Sequence, residues 1–153
     1  MVISLSLFIT WFLIGILVPI YKKSHKQQLA FVFLFVEIIN SNVPYLLGDA
    51  FHFYKITNDM RLYISFSLYQ TITIPALYTI TIYLYHQVTS IQKKAAILLI
   101  FIVVTALLEY QIFSLKIIES SGFWKLVVLI VYRLLLLFLS IFALRGFKRM
   151  CKK

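Results

Sequence analysis

The chain has 153 residues, 62% of them hydrophobic and only 13% charged, with a formal net charge of +10 and a mean hydropathy of +0.95. Soluble domains carry roughly 45–50% apolar and ~25% charged residues, so no soluble core of this size could hide these side chains, and lipid must cover many of them. The basic residues stand in short clusters between apolar runs, as membrane topology requires, which argues against a nucleic-acid reader with a basic stripe on a soluble face.

The first apolar run, residues 2–21, is long enough to span a bilayer. Nothing positive precedes it, and Val18-Pro19-Ile20-Tyr21 is too bulky for a small-x-small cleavage site, so a retained span is expected rather than a signal peptide. Trp11 falls near its middle, away from an interfacial belt, and is expected to pack against other helices. The lysines Lys22, Lys23 and Lys26 end the span.

The second run, residues 29–47, carries Glu37, Asn40, Ser41 and Pro44 at i, i+3, i+4 and i+7, one helix face. A polar stripe inside a span is expected to point into the bundle, and Pro44 to kink or end the helix. Residues 48–61 read as an interfacial connector, as a short helix at headgroup level. Asn58 is the expected N-cap of the next span, with Asp59 in its first turn.

The third run, residues 62–86, holds Ser65, Ser67, Gln70, Thr71, Thr73, Thr79 and Thr81. Such hydroxyls are expected to hydrogen-bond across helix interfaces. Pro75, at mid-span, is predicted to bend the helix by removing one backbone bond. The fourth and fifth runs are residues 95–115 and 126–144, with Ser121 the expected N-cap of the latter.

Together these predict one all-α membrane domain of five transmembrane helices. Lys22, Lys23, Lys26, Lys93, Lys94, Arg145, Lys148, Arg149, Lys152 and Lys153 fall on one side. Lys55, Arg61, Lys116 and Lys125 fall on the other. The positive-inside rule then places the N-terminus outside and the C-terminus in the cytosol. An odd number of spans does not suit the paired inverted repeats of many transporters.

Glu109 and Arg133 interrupt the fourth and fifth runs. Ionised groups at bilayer depth are costly and usually face a protein interior or a cavity, paired. Counted outward from the intervening turn at ~1.5 Å per residue, both lie roughly 10–13 Å from one membrane surface. Gln70, Asn40 and Asn42 fall in the same half of the membrane, and Glu37 somewhat deeper. Two readings stand for this group. It locks the helices together, or it lines an outward-opening site for a small polar ligand or a lipid headgroup.

No catalytic signature is present. There is no His-Glu-x-x-His helix and no Gly-rich phosphate loop, and no Gly-x-Ser-x-Gly elbow. His25, His52 and His86 sit at span ends on opposite sides, so neither a metal site nor a cofactor is expected. Tyr21, Tyr45, Tyr54, Tyr63, Tyr83, Tyr85 and Trp124 near span ends form the expected aromatic belts. The basic C-terminal tail is expected to bind anionic lipid. Cys151 within it, third from the end, is not a prenylation box; a plain thiol is expected, with S-palmitoylation the alternative.

The pattern Thr105-Ala106-Leu107-Leu108-Glu109-Tyr110, a turn with Gly122-Phe123-Trp124, and an apolar span ending in basic residues resembles a family of small uncharacterised five-span membrane proteins from Bacillus and Clostridium relatives. The likeness extends to Asn42-Val43-Pro44-Tyr45-Leu46-Leu47-Gly48-Asp49. It implies the topology and a Gram-positive plasma membrane, and carries over no catalytic residue. The functional expectation is a non-enzymatic accessory or partner-binding membrane subunit. Its rival is a small-solute or lipid-binding carrier that uses Glu109, Arg133, Gln70, Asn40 and Glu37.

Overall fold

The computed structural model describes residues 2–46, 55–57, 59–115, 118–119 and 123–150. The chain is helical at each of the five expected runs. Helix α1 covers Val2–Lys23 and α2 covers Lys26–Tyr45. The third run is a continuous helix in three parts: α3 (Met60–Leu68), a π-helical turn (Tyr69–Thr73) and α4 (Ile74–Gln87). Helices α5 (Ile91–Ser114) and α6 (Phe123–Met150) complete the bundle. Among the described residues, three helices are long and apolar enough to cross a membrane: Val2–Lys23, Ile91–Ser114 and Val127–Met150. Of the other two runs, α2 carries the polar stripe, and the third is divided by the π turn into two shorter helices.

Helix α6 runs past the expected end at Leu144 to Met150, with Lys148 and Arg149 in its last turn. Basic residues are good helix formers, and their charges complement the negative C-terminal end of the helix dipole.

The connector before α3 differs from expectation. Where it is described it is extended rather than helical: β1 (Lys55–Ile56) pairs antiparallel with β2 (Ile118–Glu119), Lys55 opposite Glu119 and Ile56 opposite Ile118. Two loops that meet at one end of a bundle can satisfy their backbone groups by bonding to each other. The N-cap of α3 is Asp59, not Asn58. Its carboxylate accepts the backbone N–H of Arg61 at 2.8 Å, and its charge suits the helix N-terminus. Asn58 itself lies outside the described residues, as do His52, Ser121, Gly122 and Cys151.

The core is arranged around α4. Every residue from Thr73 to Ile82 is buried, because α4 packs against α1, α2 and α5. Around it the other helices present single stripes: Leu29, Val32, Val36 and Asn40 on α2; Phe101, Thr105, Glu109 and Ile112 on α5; Leu129, Arg133, Leu136, Leu137 and Ser140 on α6. These spacings are one face of an α-helix. The polar members thus occupy core positions on stripes that are otherwise apolar.

Two sequence expectations are corrected by helix rotation. Trp11 is 70% exposed, flanked on the outer face of α1 by Phe8 and Phe12, while Thr10 and Leu13 turn inward. In a hydrocarbon solvent an apolar ring gains little by turning in, so mid-span position does not decide orientation. The hydroxyls of the third run mostly bond their own helix. Ser65 donates to the Arg61 carbonyl, Thr71 to Ser67, Thr79 to Pro75 and Thr81 to Leu77. Such a bond to the carbonyl four residues back satisfies the group without a neighbour. Thr73 does cross an interface, with its Oγ1 2.9 Å from that of Thr10 on α1.

Candidate functional site: a buried polar network

The network begins with a proline. Pro75 has no N–H, so the backbone ladder ahead of it must shift. The Ile74 N–H skips the Gln70 carbonyl and bonds that of Tyr69, five residues back, which makes the π turn. In that wider register the next donor to Gln70 would be residue 75, the one residue with none to give. The Gln70 carbonyl is therefore free inside the core, where an unpaired backbone oxygen is costly. Asn40 on α2 fills the gap: its Nδ2 donates to the Gln70 carbonyl and to Gln70 Oε1, each at 2.6 Å. The expected consequence of Pro75, a displaced backbone bond, is present, and it is compensated by a side chain from another helix.

The other end of the Asn40 amide carries the network onward. Asn40 Oδ1 accepts a hydrogen bond from Arg133 Nη1 on α6. Arg133 Nε donates to Glu109 Oε1 on α5 at 2.7 Å, an ion pair with both side chains 1% exposed. The Tyr69 hydroxyl donates to the same oxygen at 2.9 Å. The guanidinium carbon lies 5.6 Å from the centre of the Tyr69 ring and 5.4 Å from that of Tyr132, within cation–π range. Tyr78 on α4 donates its hydroxyl to the backbone carbonyl of Arg133 at 2.7 Å. Four of the five runs thus converge on one guanidinium.

Of the residues singled out in the sequence, the structure brings together Glu109, Arg133, Asn40 and Gln70. Glu37 stands apart, half-buried one turn earlier on α2, accepting a bond from Ser41 on its own helix at 3.0 Å. Asn42 is exposed and bonds the Ile38 carbonyl. Sequence reasoning missed Tyr69, Tyr78 and Tyr132. The available signal was their mid-span position: a tyrosine away from the interfacial belts must find an internal partner for its hydroxyl. Tyr132 has not done so, and its hydroxyl is the one buried side-chain polar atom without a hydrogen-bond partner among the described residues.

Beside the network, Tyr69 also lines a narrow crevice with Ser6 on α1, Ser65 and Thr73 on the third run and Gln111 on α5. Its volume is about 20 Å³, room for roughly one water molecule. The arrangement holds a positive and a negative charge in an apolar interior with their bonding capacity turned on each other. Comparison with protein-family models, with curated proteins and with solved structures finds no match to this chain.

Proposed function

We propose that this is a five-span protein of a bacterial plasma membrane, N-terminus outside and C-terminus cytosolic, acting as a non-enzymatic accessory subunit that binds a membrane partner. The observation that carries this reading is the inward commitment of the polar network. Glu109, Arg133, Asn40 and Gln70 bond one another, and the crevice beside them has room for about one water. A small-solute carrier would want its charged pair facing a cavity of ligand size, so the lock reading is favoured over the site reading. The resemblance to the five-span family and the loop charges support the topology.

On this reading the working surface is lateral. Phe8, Trp11 and Phe12 make an exposed aromatic strip on α1, and Gly15, one turn on, has open space where a side chain would stand. Tryptophan favours the membrane interfaces, whereas Trp11 lies ~14 Å along its helix. A partner's membrane helix laid on this strip would bury the ring.

The test is purification from native membranes into lipid nanodiscs. Wild-type protein is expected to bring a stoichiometric integral membrane protein, and Phe8→Ala with Trp11→Ala to lose it while keeping its own helical content. An unchanged partner, or none with the wild type, would defeat the reading. Topology is checked separately. A reporter fused after Lys153 should be active in the cytosol and one inserted at Thr57 should report outside; reversed signals at either position would overturn the five-span arrangement.

A further inference from the structure

A second feature lies along α6, beginning two residues past Arg133 and running toward the basic C-terminal end of that helix. Leu135, Phe138, Phe142 and Arg145 fall at i, i+3, i+7 and i+10 on α6, one straight stripe. Facing Leu98 of α5, this stripe forms the wall of an open cleft of about 510 Å³ that ends at Tyr85 of α4 and Arg145. Phe138 and Phe142 are among the most exposed aromatic rings of the molecule. From Leu135 to Arg145 the cleft extends ~15 Å, about half the ~30 Å hydrocarbon thickness of a bilayer and so the depth of one leaflet.

The end at Tyr85 and Arg145 is basic. Arg145 lines the cleft together with Tyr85, and Lys94 Nζ of α5, just outside that lining, sits 5.3 Å from the centre of the Tyr85 ring. His86, whose ring packs edge-on against Tyr85, lies within the electrostatic reach of Lys148, Arg145 and Lys94. Among the described residues, no carboxylate is one of the groups acting on it. A leaflet-deep apolar cleft with cations at one end is complementary to one kind of molecule, an amphiphile with a negative head and a hydrocarbon chain. Basic pockets between membrane helices hold anionic headgroups by this chemistry.

We propose that the cleft between α5 and α6 binds one anionic glycerophospholipid, its phosphate between Lys94 and Arg145 and one acyl chain along Leu135, Phe138 and Phe142. This differs from diffuse attraction of the basic tail, because it requires the cleft as well as the charge. It stands independently of the partner-subunit reading.

Delipidated full-length protein in an uncharged detergent, titrated with phosphatidylglycerol or phosphatidylcholine and read by native mass spectrometry, tests it. One phosphatidylglycerol is expected to remain bound per chain, at least tenfold more tightly than phosphatidylcholine. Lys94→Gln with Arg145→Gln should weaken it by roughly 20- to 30-fold, from the typical strength of a basic side chain at an anionic headgroup. Leu135→Trp, which fills the cleft at an exposed position and leaves every charge in place, should weaken it comparably. Lys152→Gln with Lys153→Gln should leave the single bound lipid intact. Equal binding of the two lipids would overturn the proposal. So would loss of the lipid in the tail variant but not in Lys94→Gln/Arg145→Gln, or displacement by glycerol phosphate as readily as by lipid. Should the double-charge variant fail to fold, indifference of Leu135→Trp would suffice to overturn it.

Discussion

Glu109→Gln is expected to lower stability by about 3–5 kcal/mol, the usual cost of breaking a buried ion pair from one side. Arg133 would then be a guanidinium 1% exposed to solvent, retaining the bond to Asn40 but no counter-charge. An arginine does not deprotonate in proteins, so its relief would be movement toward the surface or admission of water. Arg133→Leu is expected to cost no more than Glu109→Gln, because a carboxyl left alone in an apolar setting escapes by binding a proton. The double variant Glu109→Gln/Arg133→Leu should recover part of the loss, since no lone charge remains. Thermal unfolding in detergent of all four proteins measures the coupling. Strictly additive losses would mean that the pair is not energetically joined. Partner retention adds a second readout. If the pair is a lock, the recovered double variant keeps the partner; if stability returns and the partner does not, the network does more than hold helices.

Asn40→Leu is the other change expected to have a large effect, and its size should depend on Pro75. The substitution strips the Gln70 carbonyl of its donor and Arg133 of an acceptor in one step. Each buried polar group left without a partner costs about 1–3 kcal/mol, more when charged, so a loss of at least ~3 kcal/mol is expected. Pro75→Ala restores an N–H at position 75, the donor that a π register would aim at the Gln70 carbonyl. Alanine also has the better intrinsic helix propensity. In the Pro75→Ala background, Asn40→Leu should therefore cost less by ~1 kcal/mol or more, one unsatisfied carbonyl having been removed from the account. Unfolding of the two singles and the double gives this coupling. Equal costs in both backgrounds would show that Asn40 does not act through the freed carbonyl.

Sequence and structure divide along physical lines. Hydropathy and length by themselves determined where the helices lie, because a run of about twenty apolar residues has few alternatives in lipid and its backbone must bond within itself. Depth was also legible: rise per residue is constant, so Glu109, Arg133, Asn40 and Gln70 could be put at one level by counting. Pro75 announced a broken ladder because a missing N–H is a covalent fact. Rotation about each helix axis was not legible to the same degree. Trp11 turns out, Thr79 and Thr81 bond back onto their own helix, and Glu37 stays with Ser41 while Asn40, one turn on, joins the network. In water the apolar stripe of a helix announces its inner face. In a membrane both faces are apolar, and the helix turns to whichever neighbours satisfy its few polar groups. The Gln70 carbonyl and the Tyr69 and Tyr78 hydroxyls found their partners (the Asn40 amide, Glu109 and the Arg133 carbonyl) only in the assembled bundle, because each partner comes from a different helix.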